Sequence, residues 1–155
     1  MDNGLFLSVD LRGASDYPES IVGYRAKKNS HVIDLSRVGH YLATDFWEPL
    51  KRNATATMLL EPEEFYILAS KERIQVPHYA GFFDPGFGYA NPSRKGTQVV
   101  LEVRPHDVPF RIHDGQTFFK VVYEKMRDIP MQLYGTALGS SYYQQGLTLS
   151  KHFKW

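Results

Sequence analysis

Cysteine is absent from the 155 residues of this sequence, and the absence excludes several kinds of site. A chain without thiols has no disulfide framework, no thiolate nucleophile and no sulfur-ligated metal. Any chemistry that it performs must therefore come from oxygen and nitrogen groups.

A large excess of charge and long apolar runs are lacking as well. The formal net charge is +1, with 18 basic and 17 acidic residues intermixed, so bulk attraction to nucleic acid or to an anionic membrane is not indicated. No run approaches the roughly 18 apolar residues of a membrane span. The opening MDNGLFLSVD lacks the basic and apolar regions of a signal peptide. We therefore expect a cytoplasmic protein with no nucleic-acid partner and no membrane partner.

Apolar residues are plentiful and follow the pattern of strands. Hydrophobic residues make up 43% and aromatic residues 14% of the sequence, enough to bury a core, and the length predicts a single domain over residues 1–155. Apolar residues alternate with period two from Leu5 to Leu11. Further β-rich segments lie between turn residues: VIDLS, TMLL, EFYILAS, RIQVP, TQVVLEVRP, PFRIHDG, QTFFKVVYEKM, MQLYG and GLTLSKHF. Many short strands separated by turns predict an all-β sandwich or barrel.

Two local signals add detail to this fold. The dipeptide Asp114-Gly115 between PFRIH and QTFFKVV predicts a β-hairpin. Helical periodicity is weak, and we expect a turn or two of helix only in DFWEPLKRN, residues 45–53.

The six histidines give no support for a metal site. None of them forms an H-x-H or H-x-x-x-H pair, so we expect structural or surface histidines. The zinc deaminases of nucleobases need H-x-E followed by P-C-x-x-C, and the missing cysteines exclude that design.

Glu102 is the main candidate for chemistry. In the strand-like stretch VVLEVR, residues 99–104, alternation places Glu102 on the face opposite to Leu101. One interpretation is a solvent-facing charge paired with Arg104 or Arg111. The other is a carboxylate at the mouth of a pocket, where partial desolvation raises its pKa and makes it a better proton shuttle. The residues alone leave both interpretations open.

Two polar segments are further candidates. In AGFFDPGFGY, residues 80–89, Asp-Pro-Gly predicts a β-turn capped by the Asp84 carboxylate, and the neighbouring phenylalanines could wall a small-molecule pocket. The tail LGSSYYQQGLTLSKHFKW supplies donors suited to phosphate oxygens. A polar C-terminal arm without a binding role fits the same residues equally well.

The order of these motifs resembles the dCTP deaminases of the dUTPase-like superfamily, in particular the C-terminal half of the long tandem-domain bacterial form. The resemblance covers about residues 9–154 and rests on SVDLR, VIDLS, EEFYILAS, P-x-x-A-G-F-F-D-P-G-F, GTQVVLEV, the DGQ turn, LYG and SSYYQQG. It implies a distorted β-sandwich or jelly roll that deaminates dCTP to dUTP and ammonia. It also implies a trimer with active sites between subunits, or assembly with a complementary N-terminal domain.

The resemblance further implies roles for individual residues. Glu102 matches the catalytic glutamate, which takes a proton from the water that attacks C4 of cytosine. The implied substrate-binding residues are Ala80 near the water and base, Asp84 beneath the sugar and base, Tyr134 at the nucleotide, and, in the tail, Ser141, Tyr142 and Gln144 or Gln145 at the triphosphate. Mg²⁺ would arrive with the triphosphate, held mainly by phosphate oxygens and water, and no zinc is expected.

Two departures separate the chain from single-domain dCTP deaminases. Their G-R-S-S-x-x-R segment, which binds phosphate and assists catalysis, is missing from RIQVPHYAGFFDPG, residues 73–86, and their tail lysine is replaced near Ser141. An alternative role is therefore a non-catalytic domain that completes the site of another domain. A dUTP pyrophosphatase is a weaker alternative because the tail is not a glycine-rich arm. A metal-binding, cupin-like jelly roll ranks last because of the histidine spacing.

Overall fold

The chain folds almost entirely into short β-strands. The computed structural model describes residues 4–13, 20–76, 83–89, 96–128, 130–135, 138–142 and 146–154, and the backbone of 79–80. In these residues the strands are β1 (Leu5–Ser8), β2 (Ile21–Ala26), β3 (Tyr41–Leu42), β4 (Trp47–Lys51), β5 (Thr57–Leu60), β6 (Tyr66–Ile74), β7 (Tyr79–Ala80), β8 (Thr97–Val103), β9 (Phe110–His113), β10 (Thr117–Val121), β11 (Glu124–Lys125) and β12 (Phe153–Lys154). A single helical turn, α1 (Ala43–Phe46), is described. The all-β class predicted from the alternation is confirmed, and none of these residues form a helix that could span a lipid bilayer.

A four-stranded antiparallel sheet in the order β4–β2–β6–β8 forms the centre of the fold. Strand β6 joins two predicted segments, EFYILAS and RIQVP, through a shift in register between Ala69 and Arg73. Ser70 stabilises this irregularity because its hydroxyl donates to the Glu72 carbonyl at 2.7 Å and accepts the Val99 N–H at 2.9 Å. The bulged strand and its neighbour β8 thus stay joined by a buried side chain where their ladder is interrupted.

Smaller sheets pack around this centre. Strands β1 and β10, β5 and β9, and β7 and β11 form antiparallel pairs, and β12 lies parallel to β3. The predicted hairpin around Asp114-Gly115 is wrong, since the turn joins β9 to β10 but these strands pair with β5 and β1 respectively. The turn's own backbone explains the divergence. The Asp114 N–H donates to the Ala56 carbonyl and the Gly115 N–H to the Val9 carbonyl, each at 2.9 Å.

Four other local predictions are corrected. VIDLS and MQLYG form no strand, and of GLTLSKHF only Phe153 lies in one. The expected helix in DFWEPLKRN ends at Phe46, because Trp47–Lys51 pairs with β2 as an edge strand. Tertiary pairing overrides the weak helical preference of Trp47–Lys51, whereas VIDLS and MQLYG find no strand partner among the described residues.

Two hydrophobic clusters lie on opposite faces of the central sheet. The larger cluster contains Leu68 and Leu101, and the smaller contains Ile67 and Leu149. Val100 packs against the smaller cluster, so side chains of β8 alternate between the two clusters as a period-two strand requires. Glu102, two residues beyond Val100, therefore lies on the face that carries the smaller cluster.

Candidate active site

A cavity of about 890 Å³ opens beside the central sheet. Its walls come from β8 with Arg104, from Phe83, Asp84 and Phe87 around the Asp-Pro-Gly turn, from Tyr134, and from Tyr142 and residues 148–150 of the tail. Trp47, Phe65, Ile67, Phe118 and Phe119 complete the lining. Most of the described lining residues are apolar or aromatic, and the charged ones are Asp84, Glu102 and Arg104. A mostly apolar cavity of this size with a few polar groups is typical of small-molecule sites.

Glu102 is held at this cavity by the register of the central sheet. It lies opposite Ile67 of β6, which in turn lies opposite Tyr24 of β2, so the three side chains form one row on one face. Ile67 and Tyr24 are buried, while Glu102 at the end of the row is exposed to the cavity. Within the described residues its carboxylate forms neither a hydrogen bond nor an ion pair with Arg104 or Arg111. The interpretation of Glu102 as a paired surface charge is therefore not supported.

The Asp-Pro-Gly turn is held mainly by its backbone. The Gly86 N–H donates to the Val76 carbonyl at 2.7 Å, and the Phe87 N–H donates to the Asp84 carbonyl at 3.1 Å. The predicted cap by the Asp84 carboxylate is wrong for the described part of the chain, where the backbone carbonyl of Asp84 takes that role. The carboxylate is left exposed in the cavity.

Tyr134 is hydrogen-bonded to this turn and packs closely against it. Its N–H donates to the Pro85 carbonyl at 2.7 Å, and a Cβ built on Gly86, whose φ is +98°, would lie 2.8 Å from the Tyr134 nitrogen. Burial, together with the negative charge of Asp84, raises the pKa of the Tyr134 phenol, although a hydrogen bond to the Tyr142 backbone opposes the shift. The phenol is thus neutral at physiological pH and keeps its proton for hydrogen bonding.

The tail forms the opposite wall. The Tyr142 hydroxyl accepts the Lys151 N–H at 3.1 Å, and Leu149 anchors the segment in the smaller core cluster. Ser141 lies in an adjoining cavity of about 170 Å³ that shares Tyr142 with the main one. The structure therefore brings Glu102, Asp84, Tyr134 and Tyr142 to one cavity and places Ser141 beside it.

The other predicted binding residues are less fully described. Ala80 is placed by its backbone opposite Glu124 in the β7–β11 pair. Gln144 and Gln145 lie outside the described residues. Their predicted contacts with the nucleotide stay predictions.

Several cavity residues had not been proposed as binding groups from the sequence. Arg104 had been considered only as a partner of Glu102, and Phe118 and Phe119 only as strand residues. The sequence feature that could have indicated a binding role for the two phenylalanines is their position shortly after the DGQ turn. Strand alternation, however, would place only one of them in the cavity. Phe83, Phe87 and Tyr134 form a continuous aromatic wall, with ring centroids 5.1 and 5.9 Å apart.

A metal centre is not formed by the described side chains. They contain no group of three or more histidine, aspartate or glutamate residues close enough to hold an ion. The two cavity carboxylates, Asp84 and Glu102, fit an ion that arrives with its own oxygen ligands better than a protein-held one.

Comparison with known proteins identifies the relatives of this chain. The family described as 2'-deoxycytidine 5'-triphosphate deaminase (DCD), C-terminal domain, matches residues 1–77 and 78–153. The boundary between the two matched segments lies at Pro77-His78. No curated protein matches the chain.

Among solved structures, the fold resembles the crystal structure of 2'-deoxycytidine 5'-triphosphate deaminase from Agrobacterium tumefaciens. The TM-score is 0.71 and the sequence identity 38%, over 79% of this chain and 42% of that one. The chain thus corresponds to less than half the length of that relative. The likeness confirms the predicted distorted β-sandwich of the dUTPase-like type. With the family match over nearly all of its residues, the chain belongs to the dCTP deaminase C-terminal domain family.

Proposed function

We propose that this chain is a dCTP deaminase domain that converts dCTP to dUTP and ammonia, with Glu102 as its proton shuttle. The observation that carries the proposal is a carboxylate that is exposed in a cavity of aromatic walls and has no partner among the described residues. Membership of the family and 38% identity to a deaminase support the substrate. A cytoplasmic location stays a prediction from the sequence.

Hydrolytic deamination of cytosine requires a group that transfers a proton in two successive steps. Water adds to C4 of the cytosine ring as Glu102 takes its proton, and the carboxylic acid then protonates N3. Glu102 then takes the proton of the new C4 hydroxyl and passes it to the exocyclic amine, so that the C4–N bond breaks, ammonia leaves and the C4 carbonyl of uracil forms. The aromatic side chains of the cavity would cover the faces of a bound base and so shield the reacting atoms from bulk water. Tyr134 and the Asp84 carboxylate would orient the nucleoside.

The triphosphate of the substrate needs more cationic groups than the described part of the cavity supplies. Of the charged side chains described in the cavity, Arg104 is the only cation and is outnumbered by Asp84 and Glu102. A triphosphate is normally held by several charge-assisted hydrogen bonds. We therefore propose that a second copy in a homo-oligomer, expected to be a trimer, or a complementary N-terminal domain supplies the rest of the clamp. Mg²⁺ would be carried by the phosphate oxygens.

The same charge balance favours a second candidate function. A domain with the serine and arginine segment missing could retain the fold only to complete the site of another domain. The two candidates differ in whether Glu102 acts on substrate.

The test is direct. The purified chain is incubated with dCTP and Mg²⁺, alone and with the N-terminal portion of a tandem-domain relative, and dUTP is measured by chromatography. We expect Glu102→Gln to lower the rate by about 10²- to 10⁴-fold, because it keeps the shape of the side chain but removes the base. Asp128→Asn, which neutralises a carboxylate that is 88% exposed, serves as the matched control and should leave the rate unchanged.

Each result has a definite meaning. Product only after addition of the second domain supports a shared site, and no product in either mixture favours the non-catalytic role. Full activity of the Glu102→Gln variant would show that another group shuttles the proton.

A further inference from the structure

The cavity wall changes in chemical character from one side of Glu102 to the other. Val100 and Glu102 lie on one face of β8, and Arg104, which directly follows the strand, lines the same cavity. Two residues along an extended strand span about 6.6 Å. Glu102 therefore has an aliphatic neighbour at this spacing on one side and a cationic neighbour on the other.

The Arg104 guanidinium is available to a ligand. The side chain is exposed and forms no hydrogen bond or ion pair with another described residue. Phe65 directly precedes Tyr66, which lies opposite Val103, so the Phe65 ring stands at the same end of the sheet. The Trp47 ring lies 6.0 Å from the Phe65 ring, and both line the cavity without offering a hydrogen-bond acceptor. A guanidinium carries five donors and no acceptor, so it suits a ligand edge that presents acceptors.

The cytosine base has two different edges beside its reacting carbon. With C4 at Glu102, one edge carries N3 and the carbonyl oxygen O2, and the other carries the C–H groups of C5 and C6. The sugar is bonded to N1, directly across the ring from C4, so the sugar and the phosphates extend away from Glu102. A side chain that neighbours Glu102 therefore meets an edge of the base before it meets a phosphate.

We propose that the Arg104 guanidinium donates a hydrogen bond to O2 of the cytosine ring and thereby determines which edge of the base lies on each side of Glu102. A donor about 2.9 Å from O2 lies to the side of C4 by roughly the spacing between Glu102 and Arg104. The C5–H edge then faces Val100, which has no polar group in its side chain. The reversed base would set N3 and O2 against this aliphatic side chain and leave both acceptors unpaired.

The same contact assists the reaction. As water adds to C4, electron density moves from the C4–N3 bond onto N3 and O2 until N3 receives its proton from Glu102. A guanidinium fixed at O2 stabilises this density and does not itself transfer a proton. The inference rests on the proposed function, because that function places C4 at Glu102. It assigns Arg104 to the base and leaves the triphosphate to other groups.

The test measures nucleotide binding, so that it does not depend on turnover. The Glu102→Gln chain, alone and with the N-terminal portion used above, is titrated by calorimetry with Mg²⁺ and either dCTP or 2-thio-dCTP. Sulfur replaces O2 in the analogue and is a weak acceptor. We expect dCTP to bind about tenfold more tightly than the analogue, as for one hydrogen bond to a charged donor. Addition of Arg104→Met should weaken dCTP binding about tenfold and analogue binding little, so that the preference disappears.

Two further variants in the same Glu102→Gln chain serve as controls. Arg127→Met removes an arginine that is 98% exposed and does not belong to the described cavity lining, so both affinities should stay the same. Arg104→Lys should keep part of the preference, because an ammonium still donates to O2 but lacks the planar fork of a guanidinium. Circular dichroism that matches that of the parent chain would show that each variant is folded.

The outcomes separate this inference from the deaminase proposal. An equal loss of affinity for both nucleotides in the Arg104→Met variant would show that Arg104 holds phosphate, and would overturn the inference. Equal affinity of the parent chain for the two nucleotides, or no binding of either in both mixtures, would overturn it as well. A preference that depends on Arg104, without dUTP formation by the wild-type chain, would count against deamination only.

Discussion

Two turns of this molecule share an aspartate and a glycine but use them in opposite ways. In the turn at Asp84 to Gly86, backbone bonds hold the chain and the carboxylate is exposed in the cavity. In the turn at Asp114-Gly115, the carboxylate itself holds the chain. It accepts bonds from the Leu11 N–H at 3.0 Å, from Lys71 at 2.6 Å and from Arg12 at 3.0 Å.

The difference separates a carboxylate available to a ligand from one committed to structure. The Asp114 side chain is only 10% exposed and links the N-terminal segment, β6 and the β9–β10 connection. Asp84 has no described hydrogen-bond partner for its carboxylate. The same turn signature in a sequence therefore does not reveal which use an aspartate has.

Replacement of the glycine should give the largest difference in stability loss between the two turns. A Cβ at Gly86 would lie 2.7 Å from the Leu133 Cβ and 2.8 Å from the Tyr134 nitrogen, whereas a Cβ at Gly115 meets only Lys71 Cδ at 4.0 Å. We expect Gly86→Ala to cost about 2 to 5 kcal/mol of unfolding free energy from strain and overpacking. Gly115→Ala should cost about 1 kcal/mol, from its positive φ alone. Urea denaturation measures both, and equal losses would show that the close approach at Gly86 relaxes easily.

Replacement of the aspartate should give the next largest difference in stability loss between the two turns. Asp114→Asn removes a partly buried charge that accepts three hydrogen bonds, so we expect a loss of about 2 kcal/mol and a Tm lower by about 4 to 8 °C. Asp84→Asn should change stability by less than about 0.5 kcal/mol while weakening nucleoside binding. Differential scanning calorimetry and a binding titration measure the two effects. A large drop in Tm for Asp84→Asn would mean that its carboxylate is structural after all.

The smallest expected effect is the loss, at low pH, of the stability that the Asp114 carboxylate contributes. Burial alone would raise the pKa of Asp114. Hydrogen bonds from Lys71, Leu11 and Arg12 outweigh burial and lower this pKa below its ordinary value of 3.8. A lowered carboxyl pKa contributes stability above the ordinary value, and this contribution is lost as pH falls through the folded-state pKa. The stability difference between wild type and Asp114→Asn should be constant near neutrality and shrink below about pH 4. A difference that does not shrink at all as the pH falls below about 4 would contradict the assignment.

The sequence predicted the face of Glu102 but not its surroundings. Alternation in VVLEVR places Glu102 with Val100, and the structure confirms that placement. The cavity needs the tail and the Asp-Pro-Gly turn to come together beside β8, and no periodicity within one segment determines such a contact. The family resemblance brought Asp84, Tyr134 and Tyr142 into one proposed site, and the structure places all three at the cavity.

The failed predictions have a common cause. The Asp-Gly dipeptide specifies a tight turn, but strand partners depend on backbone groups of Ala56 and Val9 that lie far away in sequence. VIDLS has strand-forming residues without a partner, and Asp34 instead bonds Ser36 two residues away. The turn at Asp114-Gly115 was predicted correctly and the strand at VIDLS was not, because strand pairing depends on segments far away in the sequence.

The last strand, β12, has a practical consequence for handling the protein. Phe153 pairs with Tyr41, and the cavity wall at Ser150 lies only three residues before it. A purification tag placed directly after β12 would lie close to this pairing and to the wall. Enzymatic and binding assays should therefore carry any tag elsewhere.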